Sequence, residues 1–92
     1  MLHFLMHGKK DNVAVAVVEV KKGDKGQCLN MEDNQRAEIE AQMDIPLGHK
    51  IALQDLNVND TIIKYDSDIG RVVAVIKKGD HVHVHNVKTK KW

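Results

Sequence analysis

The chain has 92 residues, with 14 basic and 13 acidic side chains and a formal net charge of +1. It can therefore form one domain at most, and it lacks the basic excess and stacking aromatics of a nucleic-acid binder. A domain this small buries roughly two-thirds of its unfolded surface, enough for one modest core but not for a deep pocket of its own.

The apolar share is 42% and the aromatic share only 3%, from Phe4, Tyr65 and Trp92. Valine and isoleucine carry the core instead. They are stiff at χ1 and suit a pleated surface, so the expected fold is all-β, with short strands, hairpins and little or no helix. The segment Met1–His7 lacks the basic start and long apolar stretch of a signal peptide. No apolar run approaches the roughly 20 residues of a membrane helix. The expectation is a cytoplasmic chain with no membrane and no nucleic-acid partner. Cys28 is the single cysteine. That fits a reducing compartment and reads as a small buried hydrophobe.

Along the chain, Asp11-Asn12 precedes the first long apolar run, where side chains of this type usually bond nearby backbone in a turn. Val13–Val20 is almost unbroken in its apolar character and predicts one buried strand. Lys21-Lys22-Gly23-Asp24 ends it with a tight turn. Gln35–Met43 alternates Ala37, Ile39, Ala41 and Met43 with polar residues. That period of two predicts a half-exposed strand, although its composition also suits a helix. Pro46, in Ile45-Pro46-Leu47-Gly48, marks a turn or sheet edge. Asn57–Asp60 separates a strand at Ile51–Leu56 from one at Thr61–Tyr65. A second Lys-Lys-Gly-Asp, residues 77–80, separates Val72–Ile76 from His81–Val87. These copies are recurrences of one hairpin solution, too few and irregular for a repeat array. The whole of 1–92 reads as a single domain, with residues 88–92 as a basic C-terminal tail.

Three groups of residues can carry chemistry. On a continuous strand, His81, His83 and His85 share one face, with Val82 and Val84 packed on the other. Neighbours on that face stand about 6.5 to 7 Å apart, so two of the three can converge on one metal ion, with further ligands from elsewhere. A solvent-facing polar strand explains the same pattern. The second group is Gly48-His49-Lys50. Gly48 lets backbone approach a ligand, His49 offers a proton-transfer group, and Lys50 offers a point charge for a carboxylate or sulfonate. The third is Asp11-Asn12 together with Tyr65. Each of these can contact a substrate, while turn capping and a core tyrosine with its tip at the surface are the simpler structural explanations.

Five segments in order are Asp11–Ala16, Ile45–Leu53, Ile63-Lys64-Tyr65, Ile69-Gly70 and His81–Asn86. Together they resemble the SAF (antifreeze-like) domain of the altronate and galactarate dehydratase family over essentially the whole chain. Residues 84–92 look especially like members that carry this domain as a separate small subunit. The resemblance implies a β-clip fold, a large dehydratase or lyase partner subunit and a small anionic hydroxy-acid substrate. It also implies a divalent metal, iron, held largely with that partner, and an isolated chain that is inactive alone and open to homo-oligomers. Where the family often has glycine, this chain has Asn59 and Asp66, both residue types that tolerate left-handed backbone.

The implied reaction is β-elimination of water or sulfite from a hydroxy acid. In it, His49 and Lys50 are the catalytic candidates. Asp11, Asn12, Gly48 and Tyr65 are the substrate contacts, and His83 and His85 are metal ligands or part of the subunit junction. The rival reading is a non-catalytic sugar-acid-binding or assembly module, because fold alone does not fix function.

Overall fold

The computed structural model describes residues 2–89. Those residues form nine strands and no helix: β1 (Leu2–Met6), β2 (Val13–Ala16), β3 (Lys25–Asn30), β4 (Arg36–Glu40), β5 (Lys50–Ala52), β6 (Thr61–Lys64), β7 (Ser67–Val72), β8 (His81–Val82) and β9 (Val87–Thr89). The all-β expectation holds. No helix among them is long and apolar enough to cross a membrane.

One sheet has the order β4-β3-β1-β2-β5-β8 and the other β6-β7-β9. Neighbours are antiparallel except β1 and β3, which pair in parallel. Two apolar clusters result. Phe4, Ala14, Ala16, Cys28 and Ile51 belong to the first, and Val13, Ala52, Ile62, Val72 and Val82 to the second. Alternate residues of β2 and β5 thus enter opposite clusters. Both strands are buried on two faces, which is why their sequences read as continuous apolar runs instead of alternating ones. Each fully buried Ile or Val there contributes about 1.5–3 kcal/mol.

Four tight turns of one form organise the chain. They span residues 21–24, 46–49, 57–60 and 77–80. The fourth N–H of each returns to the first carbonyl: Asp24 to Lys21 at 2.9 Å, His49 to Pro46 at 3.0 Å, Asp60 to Asn57 at 3.0 Å and Asp80 to Lys77 at 2.9 Å. The third residue has positive φ in every case: Gly23, Gly48, Asn59 and Gly79. Each turn follows a residue in an isolated bridge, Val20 with Ile45 or Leu56 with Ile76. Each then launches a strand: β3, β5, β6 or β8. The recurrence of Lys-Lys-Gly-Asp is therefore one turn used repeatedly, and two of its four copies lack that sequence.

The long apolar runs are shorter as strands than expected. β2 stops at Ala16, the chain bends at Val17, and Val20 makes only its bridge to Ile45. Ile51–Leu56 contracts to β5 plus the bridge at Leu56. Val72 closes β7, and Val73 to Val75 stand exposed outside any strand. The cause is curvature: in so small a domain the chain must leave one sheet pairing to reach the next. Gln35–Met43 is a strand over its β4 portion. Ile39 and Ala41 are buried as the alternation requires, while Ala37 and Met43 are exposed. Lys88 and Thr89, expected in a tail, belong to β9, and Lys90, Lys91 and Trp92 lie outside the described residues.

Candidate functional site

His49 owes its freedom to a proline. In three of the four turns the last residue is an aspartate whose carboxylate accepts the N–H of the first: Asp24 from Lys21 at 3.0 Å, Asp60 from Asn57 at 2.7 Å and Asp80 from Lys77 at 2.9 Å. The fourth turn begins with Pro46, which has no N–H to satisfy. No capping carboxylate is needed there, and the position carries an imidazole instead. Gly48 supplies the positive φ of 84°.

The partner of His49 comes from another turn. Ile51 of β5 pairs with His81 of β8. Alternation along β5 places His49 on the same face as Ile51, and so beside His81. His49 Nδ1 lies 2.8 Å from His81 Nε2, one ring donating and the other accepting. The His83 ring stacks on His49 at 4.1 Å between centroids and lies 5.6 Å from His81.

This is not the histidine ladder that the sequence suggests. β8 ends at Val82, and residues 83–86 turn back to enter β9. Buried Asn86 holds that turn: its Oδ1 accepts the His83 N–H at 3.0 Å and its Nδ2 donates to the His81 carbonyl at 2.8 Å. Val84 is 66% exposed instead of packed. His85 is exposed and tilts toward His81 at 5.2 Å.

The ligand nitrogens of His49, His81 and His83 all lie within 4.8 Å of one another, so these three residues can hold a metal ion. The donor set fits a first-row transition ion: three imidazoles, with no hard carboxylate among them. Burial, then the neighbouring His49, His85 and His83, push His81 down to about 4. Burial, His49 and Lys50 lower His83. Both rings are thus held neutral at pH 7, the form a metal requires.

Lys50 is only 7% exposed, more enclosed than a solvated strand start would be. Burial lowers its pKa, and Lys64 lowers it further. Leu47 and Gly48 are exposed, His49 is half-buried and Lys50 is buried. The Gly-His-Lys corner is therefore graded from solvent to interior.

Asp11, Asn12 and Tyr65 form a second group. The buried Asp11 carboxylate accepts three backbone N–H groups: His7 and Gly8 at 3.1 Å and Asp66 at 2.8 Å. Asn12 donates to the Thr61 carbonyl and accepts from the Ile63 N–H, both at 2.8 Å. These side chains tie the start of the chain to the β6–β7 hairpin. Tyr65 lies beyond the end of β6 and is 62% exposed, with its ring stacked on His7 at 4.0 Å. Asn59 and Asp66 both take left-handed backbone, with φ of 76° and 57°, as their residue types allow. Cys28 is buried, and burial raises its thiol to about 11, so it is inert.

His81 as the partner of His49, and His7 and Lys64 beside Tyr65, were not singled out from sequence. A signal existed for His81: two turns of one form each deliver a histidine at their exit, His49 and His81. None existed for His7, which reaches Tyr65 through the long-range bonds of Asp11.

Two sheets launched from four matching turns, with a histidine cluster at one corner, make this a small SAF-type domain. The chain belongs to the altronate/galactarate dehydratase SAF-domain family, whose model matches residues 2–90. It is 47% identical to the (2R)-sulfolactate sulfo-lyase subunit alpha of Chromohalobacter salexigens, over 99% of this chain and 98% of that protein. The subunit of the same name from Paracoccus pantotrophus is 49% identical over 71% of this chain and 97% of its own length. Altronate dehydratase of Bacillus subtilis is 40% identical over 97% of this chain, which spans 17% of that longer protein. The family read from the ordered motifs is the family the chain belongs to.

Proposed function

We propose that this chain is the small subunit of a cytoplasmic lyase that eliminates water or sulfite from a hydroxy acid, and that a large subunit completes its active site. The observation that carries the reading is the imidazole cluster of His49, His81 and His83 beside buried Lys50, on a chain that aligns end to end with a sulfo-lyase subunit alpha. The near-complete coverage of that subunit favours sulfite as the leaving group over water.

His49 is the acid/base. Its Nδ1 meets His81 Nε2 at 2.8 Å, so His81 fixes the orientation of the ring. Lys50 holds the carboxylate or sulfonate of the substrate. An anion placed against it offsets both causes that lower its pKa, burial and Lys64. Gly48 leaves backbone open on the solvent side of the corner. Asp11 and Asn12 support the reaction by fixing the scaffold around it. A divalent ion, iron, would be held by His81 and His83 with further ligands from the large subunit, and it would supply Lewis-acid stabilisation of the negative charge that develops on the substrate.

The test is His49→Ala in the assembled two-subunit enzyme. Turnover should fall by about a hundredfold or more, the usual contribution of a general acid/base. A variant within a few-fold of wild type removes His49 from the role.

A further inference from the structure

The two-residue turn between β6 and β7 is built in an unusual way. Tyr65 and Asp66 both take left-handed backbone, with φ of 54° and 57°. Hairpin turns of this form favour Asn, Asp and Gly, and Tyr65 is strained there. The surroundings enforce the strain. Asp66 donates its N–H to buried Asp11, and its own carboxylate accepts the Lys10 N–H at 2.9 Å. Gly8 lies so close that a Cβ there would run into the Asp66 carboxylate.

The product of this enforcement is a fixed aromatic ring in solvent. Tyr65 stacks on His7 at 4.0 Å with 26° between the planes, and the Lys64 ammonium sits 5.4 Å from its centroid. Even so, 62% of the residue is exposed. The domain gains little from a ring so placed and would lose its strain with glycine at this position. Strain retained under tight constraint marks functional positions. A rigid aromatic with a polar tip is a typical anchor of protein interfaces.

We propose that Tyr65 is the anchor by which this chain docks on its large subunit, filling a ring-sized apolar slot edged by carboxylate. Lys64 and the exposed Lys10 supply the cationic complement to that edge. This inference rests on the small-subunit reading above.

The experiment measures association of the isolated chain with the purified large subunit, the melting temperature of the chain alone, and steady-state kinetics of the complex. The variants are Tyr65→Gly, Tyr65→Asn and Tyr65→Phe. Glycine and asparagine both suit left-handed backbone, so those two variants should melt at or above wild type while associating about tenfold or more weakly. Tyr65→Phe keeps the ring and should associate within a few-fold of wild type. Association of Tyr65→Gly and Tyr65→Asn at wild-type strength overturns the proposal. So does unchanged association with a raised KM, which would assign the ring to substrate instead. If the wild-type chain itself fails to associate, the small-subunit reading falls and this inference falls with it.

Discussion

The Asp11 region and the histidine corner treat polar side chains in opposite ways. Asp11 is buried and its carboxylate is engaged by three backbone N–H groups, while Asn12 bonds the backbone through both ends of its amide. At the other corner the imidazoles face one another: His49 bonds His81 and stacks on His83. Side chains committed to the backbone of three different segments hold the fold together. Side chains gathered on one another are organised for something the chain does not itself provide. Burial alone therefore does not separate scaffold from site in this domain; the identity of the bonding partner does.

That contrast can be broken, and the largest effect is expected on the scaffold side. Asp11→Ala leaves three N–H groups without their acceptor and releases the strained turn at Tyr65 and Asp66. Urea unfolding of the isolated chain should show a loss of about 3 kcal/mol. A loss under about 1 kcal/mol would mean that Asp11 is not scaffold, and it would reopen a substrate role for it.

A smaller effect is expected from pH. In the metal-free chain His81 titrates near 4, below the usual 6.5, because burial and then His49, His85 and His83 oppose its charge. The unfolded chain therefore takes up this proton first as pH falls. The His81 contribution to stability should be intact above about pH 6.5, decline through the interval down to about 4 and level off below it. Chemical denaturation across that range checks the sign, and stability that rises on acidification contradicts it.

The smallest effect is expected from His81→Leu at pH 7. An apolar residue in this half-buried place should change stability by no more than about 1 kcal/mol, since it removes a neutral polar contact and adds buried apolar area. The same variant should flatten the acid-side decline. A loss as large as that of Asp11→Ala would show that the histidine corner is structural after all.

How much of this was legible in the sequence varies with the range of the interaction. The turns at 21–24, 57–60 and 77–80 were readable because Gly, Asn and Asp carry their turn chemistry within four residues. The strand character of Gln35–Met43 was readable from its period of two, and tolerance of left-handed backbone at Asn59 and Asp66 from residue type. Strand ends were not readable. Val17, Leu53 and Val73 look as apolar as their neighbours, and only the bending of one sheet into the next decides where pairing stops. The candidate site was half legible. Gly48-His49-Lys50 stood out as a corner, but the ladder of His81, His83 and His85 presumed a strand that ends at Val82.

By itself, the sequence settled the all-β class, the positions of most turns and the family, since each follows from local residue chemistry or from an ordered set of motifs. Tertiary structure alone decided which histidines meet, how deeply Lys50 is enclosed and that Tyr65 is held out in solvent. Those outcomes depend on pairings such as Ile51 with His81 and on Asp11 reaching Asp66, contacts between residues 30 to 55 positions apart. No local pattern encodes the register of such contacts, because the free energy that fixes it is released only when the strands have already come together.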